Sequence, residues 1–204
     1  MYTGTGTVND GSLNGITGTV SSALPADIGT NRTSFGSFGS ISFPFNTLMD
    51  FSRAQTIMIW MRPGTGNSSA RRNPYNQAYG GSGTITHEIG GGFTYFFGTN
   101  GGDNVPYVGV GTSFSVLDNE TAFITVTRNQ AANVTNWYKN GVLQNSDSAG
   151  GYAATANGSS AITIGTGYTS AFVGNLYSVR VYNVALTATE ILRTFNADRW
   201  RYGI

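Results

Sequence analysis

The chain has 204 residues, of which 10% are charged, with a formal net charge of +1, 29 glycines and no cysteine. Balanced charge leaves no electrostatic footprint for a nucleic-acid backbone, and the missing cysteines exclude disulfides, thiolate metal sites and cysteine nucleophiles. The length suits a single all-β domain, and a composition this rich in glycine is not typical of a helix bundle.

The amino-terminal residues 1–34 are rich in Gly, Thr, Ser and Asn and carry no sustained hydrophobic period. This composition predicts an extended arm or a first few short strands, ordered against the rest of the chain or against a neighbouring subunit. The main domain is predicted to occupy residues 35–204.

The segment TIMIWMR, which begins at Thr56, alternates with a period of two residues. One face carries apolar side chains from Ile57, Ile59 and Met61, and the other carries Met58 and Trp60. Because both faces are apolar, this strand is expected to be central in its sheet. The apolar run is too short to cross a bilayer, so a membrane is not expected as a partner.

Residues 64–84 are polar and unpatterned, which predicts a loop. Strand-like pieces then recur about every ten residues, as in sandwiches and barrels. These pieces are ITHEI, FTYFFG, PYVGVG, SFSVL, AFITVTR, TNWYKN, AITIG and LYSVRVYN. Asn140-Gly141 predicts a two-residue type I′ hairpin, because both residues tolerate positive φ.

A helix is predicted near the carboxyl end of the chain. Thr187 is placed to cap the first free amides, Glu190 to reach back to the cap, and Leu186 to pack against the first turn. The helix is expected to dock on the sandwich through an apolar face formed by Ile191, Leu192 and Phe195.

The order of these segments resembles the laminin-G-like, concanavalin A-like lectin/glucanase superfamily over roughly residues 35–195. The stretch GNLYSVRVYNVALTATEI is the most specific part of the match. The resemblance implies an all-β fold, an antiparallel jelly-roll β-sandwich with one short C-terminal helix. It says little about function, because this fold hosts lectins, glycosidases, adhesion modules and structural domains.

The last ten residues, FNADRWRYGI, are similar to the ending of stand-alone structural proteins of tailed bacteriophages. This second resemblance implies a non-enzymatic structural protein located in the virion, as a capsid decoration or a tail component. Its expected partners are other virion proteins and further copies of itself, since symmetric homo-oligomers are common in such roles.

The alternative interpretation is a carbohydrate-binding adhesin that recognises host-cell polysaccharide. Sugars are bound by exposed aromatic faces with polar side chains nearby. The candidate residues are Arg72, Asn73, Tyr75, Tyr79, Asp103, Asn104 and Tyr107. If the chain is instead a structural protein of the virion, these aromatic residues are expected to cover the edge of the core or a subunit interface. Trp60 and Trp137, within strands, are expected in the core.

A glycoside hydrolase is the third and least favoured interpretation. The resemblance implies that a glycosidase of this superfamily carries a Glu-x-Asp-x-Glu motif on a strand, and the chain has no such motif. The nearest match, Asp118-Asn119-Glu120, is expected at a turn. A single histidine, His87, excludes a two-histidine zinc site. No cofactor is expected, although the resemblance implies calcium as an alternative, with Asp103, Asp118 and Glu120 as weak candidate ligands.

Overall fold

The computed structural model describes residues 7–9, 11, 14–21, 26–27, 32–35, 39–49, 51–77, 83–98, 107–148 and 160–204. Within these ranges the chain forms sixteen β-strands, one α-helix and three short 3₁₀-helices. The strands are β1 Thr7–Asn9, β2 Thr17–Val20, β3 Ala26–Asp27, β4 Arg32–Phe35, β5 Ile41–Phe43, β6 Ala54–Pro63, β7 Arg72–Gln77, β8 Gly83–His87, β9 Phe93–Gly98, β10 Tyr107–Gly111, β11 Ala122–Asn129, β12 Val134–Lys139, β13 Val142–Asp147, β14 Ile162–Ile164, β15 Ser170–Ala171 and β16 Gly174–Tyr182. The helix α1 spans Ala188–Asp198, and the 3₁₀-helices span Thr47–Met49, Asn67–Ser69 and Arg199–Arg201.

The strands form two sheets. The nine-stranded sheet has the order β1-β2-β5-β14-β7-β8-β9-β10 with β15 beside β7, and the seven-stranded sheet has the order β13-β12-β11-β6-β16-β4-β3. Neighbouring strands of the described chain run antiparallel except β15, which pairs parallel with β7. The architecture confirms the predicted antiparallel jelly-roll sandwich with one short C-terminal helix.

β6 is a central strand, as its sequence predicts, because it lies between β11 and β16. Ile57, Ile59 and Met61 belong to the core between the two sheets. Met58 and Trp60 belong to a second apolar cluster on the opposite face of the seven-stranded sheet, beneath α1. All five side chains are buried, which explains why the strand is apolar on both faces. Trp137 is also fully buried, so neither strand tryptophan is a surface platform.

The start of α1 follows the predicted capping pattern. Thr187 Oγ1 accepts a hydrogen bond from the Glu190 backbone N–H, and the Glu190 carboxylate accepts one from the Thr187 N–H at 2.7 Å. Leu186 packs against the cluster that contains Ile191, as expected for a residue that precedes the cap.

The apolar face of α1 differs from the prediction at one position. Ile191 and Phe195 are buried, and the Phe195 ring stacks on Trp60 with centroids 5.6 Å apart. Leu192 stays 43% exposed, because each residue turns about 100° around the helix axis and the next position leaves the docked face. Including Leu192 in that face is therefore wrong.

Two other local predictions are wrong. Residues 72–77, placed in a loop from the sequence, form β7, because backbone pairing with β8 and β14 decides the conformation where the side-chain pattern is weak. The piece SFSVL, residues 113–117, lies in the loop before β11, where the Val116 N–H donates to the Gly91 carbonyl oxygen instead of to a strand partner.

The remaining local expectations concern turns and the amino terminus. Asn140 and Gly141 have φ values of 51° and 79°, which confirms the type I′ hairpin between β12 and β13. The first four strands divide between the sheets, with β1 and β2 in the larger and β3 and β4 in the smaller. The domain division at residue 35 stays a prediction. No helix in the described ranges is both long and apolar enough for a membrane span.

Candidate functional site

Loops from both sheets meet at one end of the sandwich, which we call the rim. The rim consists of residues 64–71, 88–92, 112–121 and 165–169. Backbone hydrogen bonds join these loops to one another and to strand ends: Asn119 N to Pro63 O, Val116 N to Gly91 O, Gly90 N to Ser68 O, and Ser170 N to Arg71 O. The rim is therefore a hydrogen-bonded unit supported by the strands below it.

A buried polar pair supports the rim from inside. The side-chain oxygen of Asn67 accepts from the Val173 N–H, so its amide nitrogen faces His87 Nδ1, 2.6 Å away. His87 Nδ1 is then the acceptor, and Nε2–H donates to the Val116 carbonyl oxygen at 3.0 Å. Burial is the largest influence on His87 and lowers the pKa of its imidazole. The histidine is therefore a buried packing residue.

The two calcium candidates that the structure describes are engaged by protein donors. The Asp118 carboxylate accepts from the Gly66 and Ser68 N–H groups at 2.6 and 2.9 Å. The pKa of Asp118 is lowered. Burial is the largest single influence and acts to raise this pKa, but the hydrogen bonds from Ser68 and Gly66 together outweigh burial. Glu120 accepts from the Leu117 N–H and pairs with Lys139 Nζ at 2.6 Å.

These two carboxylates serve different partners. Asp103, the third candidate, lies outside the described residues. Across the part of the chain that the structure describes, no three His, Cys, Asp or Glu side chains are grouped to hold a metal ion. Asp118 and Asn119 form the expected turn.

Three of the predicted sugar-contacting residues are engaged by other parts of the protein. Asn73 and Tyr75 are fully buried, and the Asn73 side chain holds the backbone N–H of Thr169 at 2.8 Å. The guanidinium of Arg72 donates to the carbonyl oxygens of Asn67 and Ala171. Their placement in an exposed loop is wrong, because the β7 backbone directs Tyr75 into the core between the sheets and places Arg72 and Asn73 beneath the rim loops. They position the rim loops.

The structure does not test the other predicted contact residues. Tyr79, Asp103 and Asn104 lie outside the described residues, and Tyr107 begins β10. Their assignment to a sugar site stays a prediction.

A different group of aromatic and charged side chains lies where the rim meets the outer face of the nine-stranded sheet. Arg71 Nε donates to Glu88 Oε2 at 2.8 Å, and Arg71 Nη2 donates to Tyr168 Oη at 3.0 Å. The Arg71 guanidinium lies 5.6 Å from the centre of the Tyr168 ring. Tyr168 Oη lies 2.7 Å from Thr86 Oγ1, and its ring meets Phe96 edge-on at 6.1 Å. We call these five residues the Arg71 cluster.

Strand alternation explains the base of the Arg71 cluster. Ile85 and Tyr95 belong to the core between the sheets, so their neighbours Thr86 and Phe96 point to the outer face. A Cβ atom on Gly167 would lie 2.7 Å from the Asn73 side chain, so the loop that carries Tyr168 approaches β7 this closely only with glycine there.

The upper part of the Arg71 cluster is accessible to solvent. The side chains of Arg71 and Glu88 are 42% and 27% exposed, and Tyr168 is half-buried. Thr86 and Phe96 are buried beneath them. The cluster therefore presents an aromatic ring, a guanidinium and a carboxylate side by side, each of them partly exposed to a ligand.

Sequence reasoning selected Arg72 and missed its neighbour Arg71. Consecutive side chains of extended backbone point to opposite sides, so the Arg71-Arg72 pair itself indicates that one arginine faces outward. The strand bounds decide which one does. Tyr168 follows the AITIG piece in a loop, and the sequence there gives no signal of its contact with Arg71.

Residues 35–192 match the family model described as the Concanavalin A-like lectin/glucanases superfamily, and the chain belongs to that family. The match begins at the last residue of β4 and covers β5 to β16 and the first part of α1. No curated protein sequence matches the chain.

Solved structures similar to this chain include binding domains of clostridial toxins. The binding domain of Paraclostridial Mosquitocidal Protein 1 is 21% identical, with a TM-score of 0.75 over 93% of this chain and 49% of that one. The botulinum neurotoxin serotype G binding domain is 17% identical, with a TM-score of 0.73 over 93% and 48%. The binding domain of botulinum neurotoxin DC in complex with SialylT is 14% identical, with a TM-score of 0.59 over 95% and 45%. The chain thus spans about half the length of these structures, and at such identities the similarity establishes the fold alone.

Proposed function

We propose that this chain is a non-enzymatic carbohydrate-binding domain and that the Arg71 cluster contacts the sugar. One observation carries the proposal: the solvent-accessible Arg71 and Glu88 side chains are held beside the ring of Tyr168. Sugar-binding sites combine an aromatic surface for the C–H face of the ring with a few oriented polar groups for the hydroxyls. The cluster contains both kinds of group.

The comparisons support a binding role by analogy. The family description names lectins, and one similar structure is a binding domain in complex with SialylT. The analogy concerns the fold, and the same fold also supports unrelated functions. The groups proposed to bind the sugar are therefore those of the Arg71 cluster.

The state of the glutamates supports a non-enzymatic role. The chain has three: Glu88 pairs with Arg71, Glu120 with Lys139, and Glu190 caps α1. A glycosidase of the usual kind needs two carboxyl groups that flank one glycosidic bond. Each glutamate here serves a separate structural partner.

The structural role in a phage virion stays a prediction, together with the virion location, the virion partners and the homo-oligomer. It rests on the likeness of the last ten residues, whereas the similar structures described above are toxin binding domains. Genes for a capsid, portal or baseplate protein beside this one would support it.

The proposed function is tested by glycan-array binding of the intact chain and of Tyr168→Ala. The control is Trp200→Ala, which removes a 70% exposed aromatic side chain beyond α1, on the other side of the sandwich. We expect Tyr168→Ala to lose most binding and Trp200→Ala to retain it. Absence of glycan binding by the intact chain, or equal binding by both variants, would contradict the proposal.

A further inference from the structure

Glu88 sets the charge of the Arg71 cluster. Its carboxylate contacts Arg71 through Nε at 2.8 Å and Nη2 at 3.4 Å, so both oxygens face the guanidinium. Arg71 and Glu88 are the two ionised side chains of the cluster, and together they carry no net charge.

We propose that the Arg71 cluster binds uncharged saccharides and that Glu88 is the specificity-determining residue that rejects acidic ones. This inference rests on the proposed function and adds the chemical class of the ligand. It is based on the contacts that the Arg71 guanidinium already makes with Glu88 and Tyr168.

Arginine recognises a carboxylate best through two parallel N–H groups on one edge of the guanidinium. In Arg71 the edge formed by Nε and Nη2 already faces Glu88, and Nη2 also donates to Tyr168 Oη. An acidic sugar therefore has to displace Glu88 from this edge or approach beside its negative charge. Both routes weaken binding relative to a neutral sugar.

A neutral sugar meets no such penalty. Carboxylate oxygens accept several hydrogen bonds and guanidinium groups donate several, whereas each sugar hydroxyl does both. Glu88 and Arg71, in contact with each other, offer an acceptor beside a donor. Two adjacent hydroxyls of one sugar ring fit that arrangement, with the ring directed toward Tyr168.

The other charged groups in and beside the rim do not change this preference for neutral over acidic sugars. Arg72 is turned inward to backbone carbonyl oxygens, and Asp118 is bound by two backbone N–H groups. Glu120 and Lys139 form a separate ion pair at 2.6 Å. The recognition of charge therefore depends on Glu88.

The test uses pairs of oligosaccharides that differ only by a sugar carboxylate, with affinities measured for the intact chain, Glu88→Gln and Glu120→Gln. The Glu120 variant is the matched control, because both substitutions raise the formal net charge of +1 by one unit at an ion-paired rim glutamate. We expect the intact chain to prefer the neutral sugar. Glu88→Gln is expected to shift this preference toward the acidic sugar by roughly fivefold, the scale of one partly exposed charge, and Glu120→Gln to leave it unchanged.

Glu88→Asp separates charge from placement, since it keeps the negative charge on a shorter side chain. It is expected to reject acidic sugars while binding neutral ones more weakly. A preference of the intact chain for the acidic sugar, or equal shifts in the two glutamine variants, would overturn the inference while leaving sugar binding intact. If the intact chain binds neither sugar of any pair, the proposed function fails, and this inference fails with it.

Discussion

Arg71 and Tyr168 are 97 residues apart in the chain, yet Arg71 Nη2 donates a hydrogen bond to Tyr168 Oη at 3.0 Å. Their contact joins the loop before β7 to the loop after β14. Glu88 reaches the same guanidinium from the loop after β8. Three rim loops therefore meet at one arginine, and this meeting point is the proposed sugar site.

Arg71→Lys is expected to weaken glycan binding by roughly five- to tenfold, because an ammonium group lacks the planar fork that contacts Glu88 and Tyr168 together. The control is Arg62→Lys, at an exposed position where Nε donates to the Asn119 carbonyl oxygen. Titration calorimetry with one array-selected glycan measures both affinities. Equal affinity of Arg71→Lys and the intact chain would remove Arg71 from the site.

The stability of the protein is expected to fall as the pH drops from 7.5 to 5.5, because of His87. Burial lowers the pKa of His87 in the folded chain, whereas an unfolded histidine titrates near 6.5. Below about pH 6.5 the unfolded state therefore binds more protons, and the free energy of unfolding decreases by up to about 1.4 kcal/mol at pH 5.5.

His87 is the only histidine, so this titration has one source in the sequence. Urea unfolding at the two pH values measures the decrease, and His87→Gln is the control, since its amide can still donate toward Val116. The variant is expected to be less stable but to lose this pH dependence. The same slope in both proteins would assign the effect to another group.

Asp118→Ala is expected to destabilise the fold by about 1–2 kcal/mol, because two backbone N–H groups of the 3₁₀ turn lose their acceptor. Glu120→Gln, which breaks a partly exposed ion pair, is expected to cost less than about 1 kcal/mol. Chemical denaturation compares the two variants. A larger loss of stability in Glu120→Gln than in Asp118→Ala would contradict this prediction.

Gly167→Ala is expected to move the Tyr168 loop, since its Cβ would lie 2.7 Å from the Asn73 side chain. We expect a loss of stability of about 1–3 kcal/mol, as for other overpacked sites, together with weaker glycan binding. Gly111→Ala is the control, because its Cβ would approach no closer than 3.8 Å. Thermal unfolding and array binding report the two effects, and unchanged binding by a folded Gly167→Ala would mean that the loop position does not matter.

The sequence predicts the parts of this fold that local physics determines. The side chains of β6 alternate between two faces that are both apolar. Asn140-Gly141 is a residue pair typical of a tight hairpin, and Thr187 with Glu190 forms a capping box. Each signal lies within a few residues, so neither the register nor the neighbouring strands are needed to recognise it.

The candidate site could not be predicted in this way. The outward direction of Arg71 depends on where β7 begins, and that boundary is set by pairing with β8 and β14. Tyr168 meets Arg71 only because Gly167 and the buried Asn73 bring its loop against β7. These contacts are long-range, and the residues involved have no distinguishing pattern in the sequence.

The most direct test of the sugar-binding account is amide chemical-shift mapping of the intact chain during titration with a neutral glycan selected on the array. The account predicts that saturable shifts concentrate at Arg71, Glu88 and Tyr168, while Trp200 on the opposite side of the sandwich stays unchanged. Shifts centred on Trp200 and α1, or no saturable shifts at the Arg71 cluster, would contradict it.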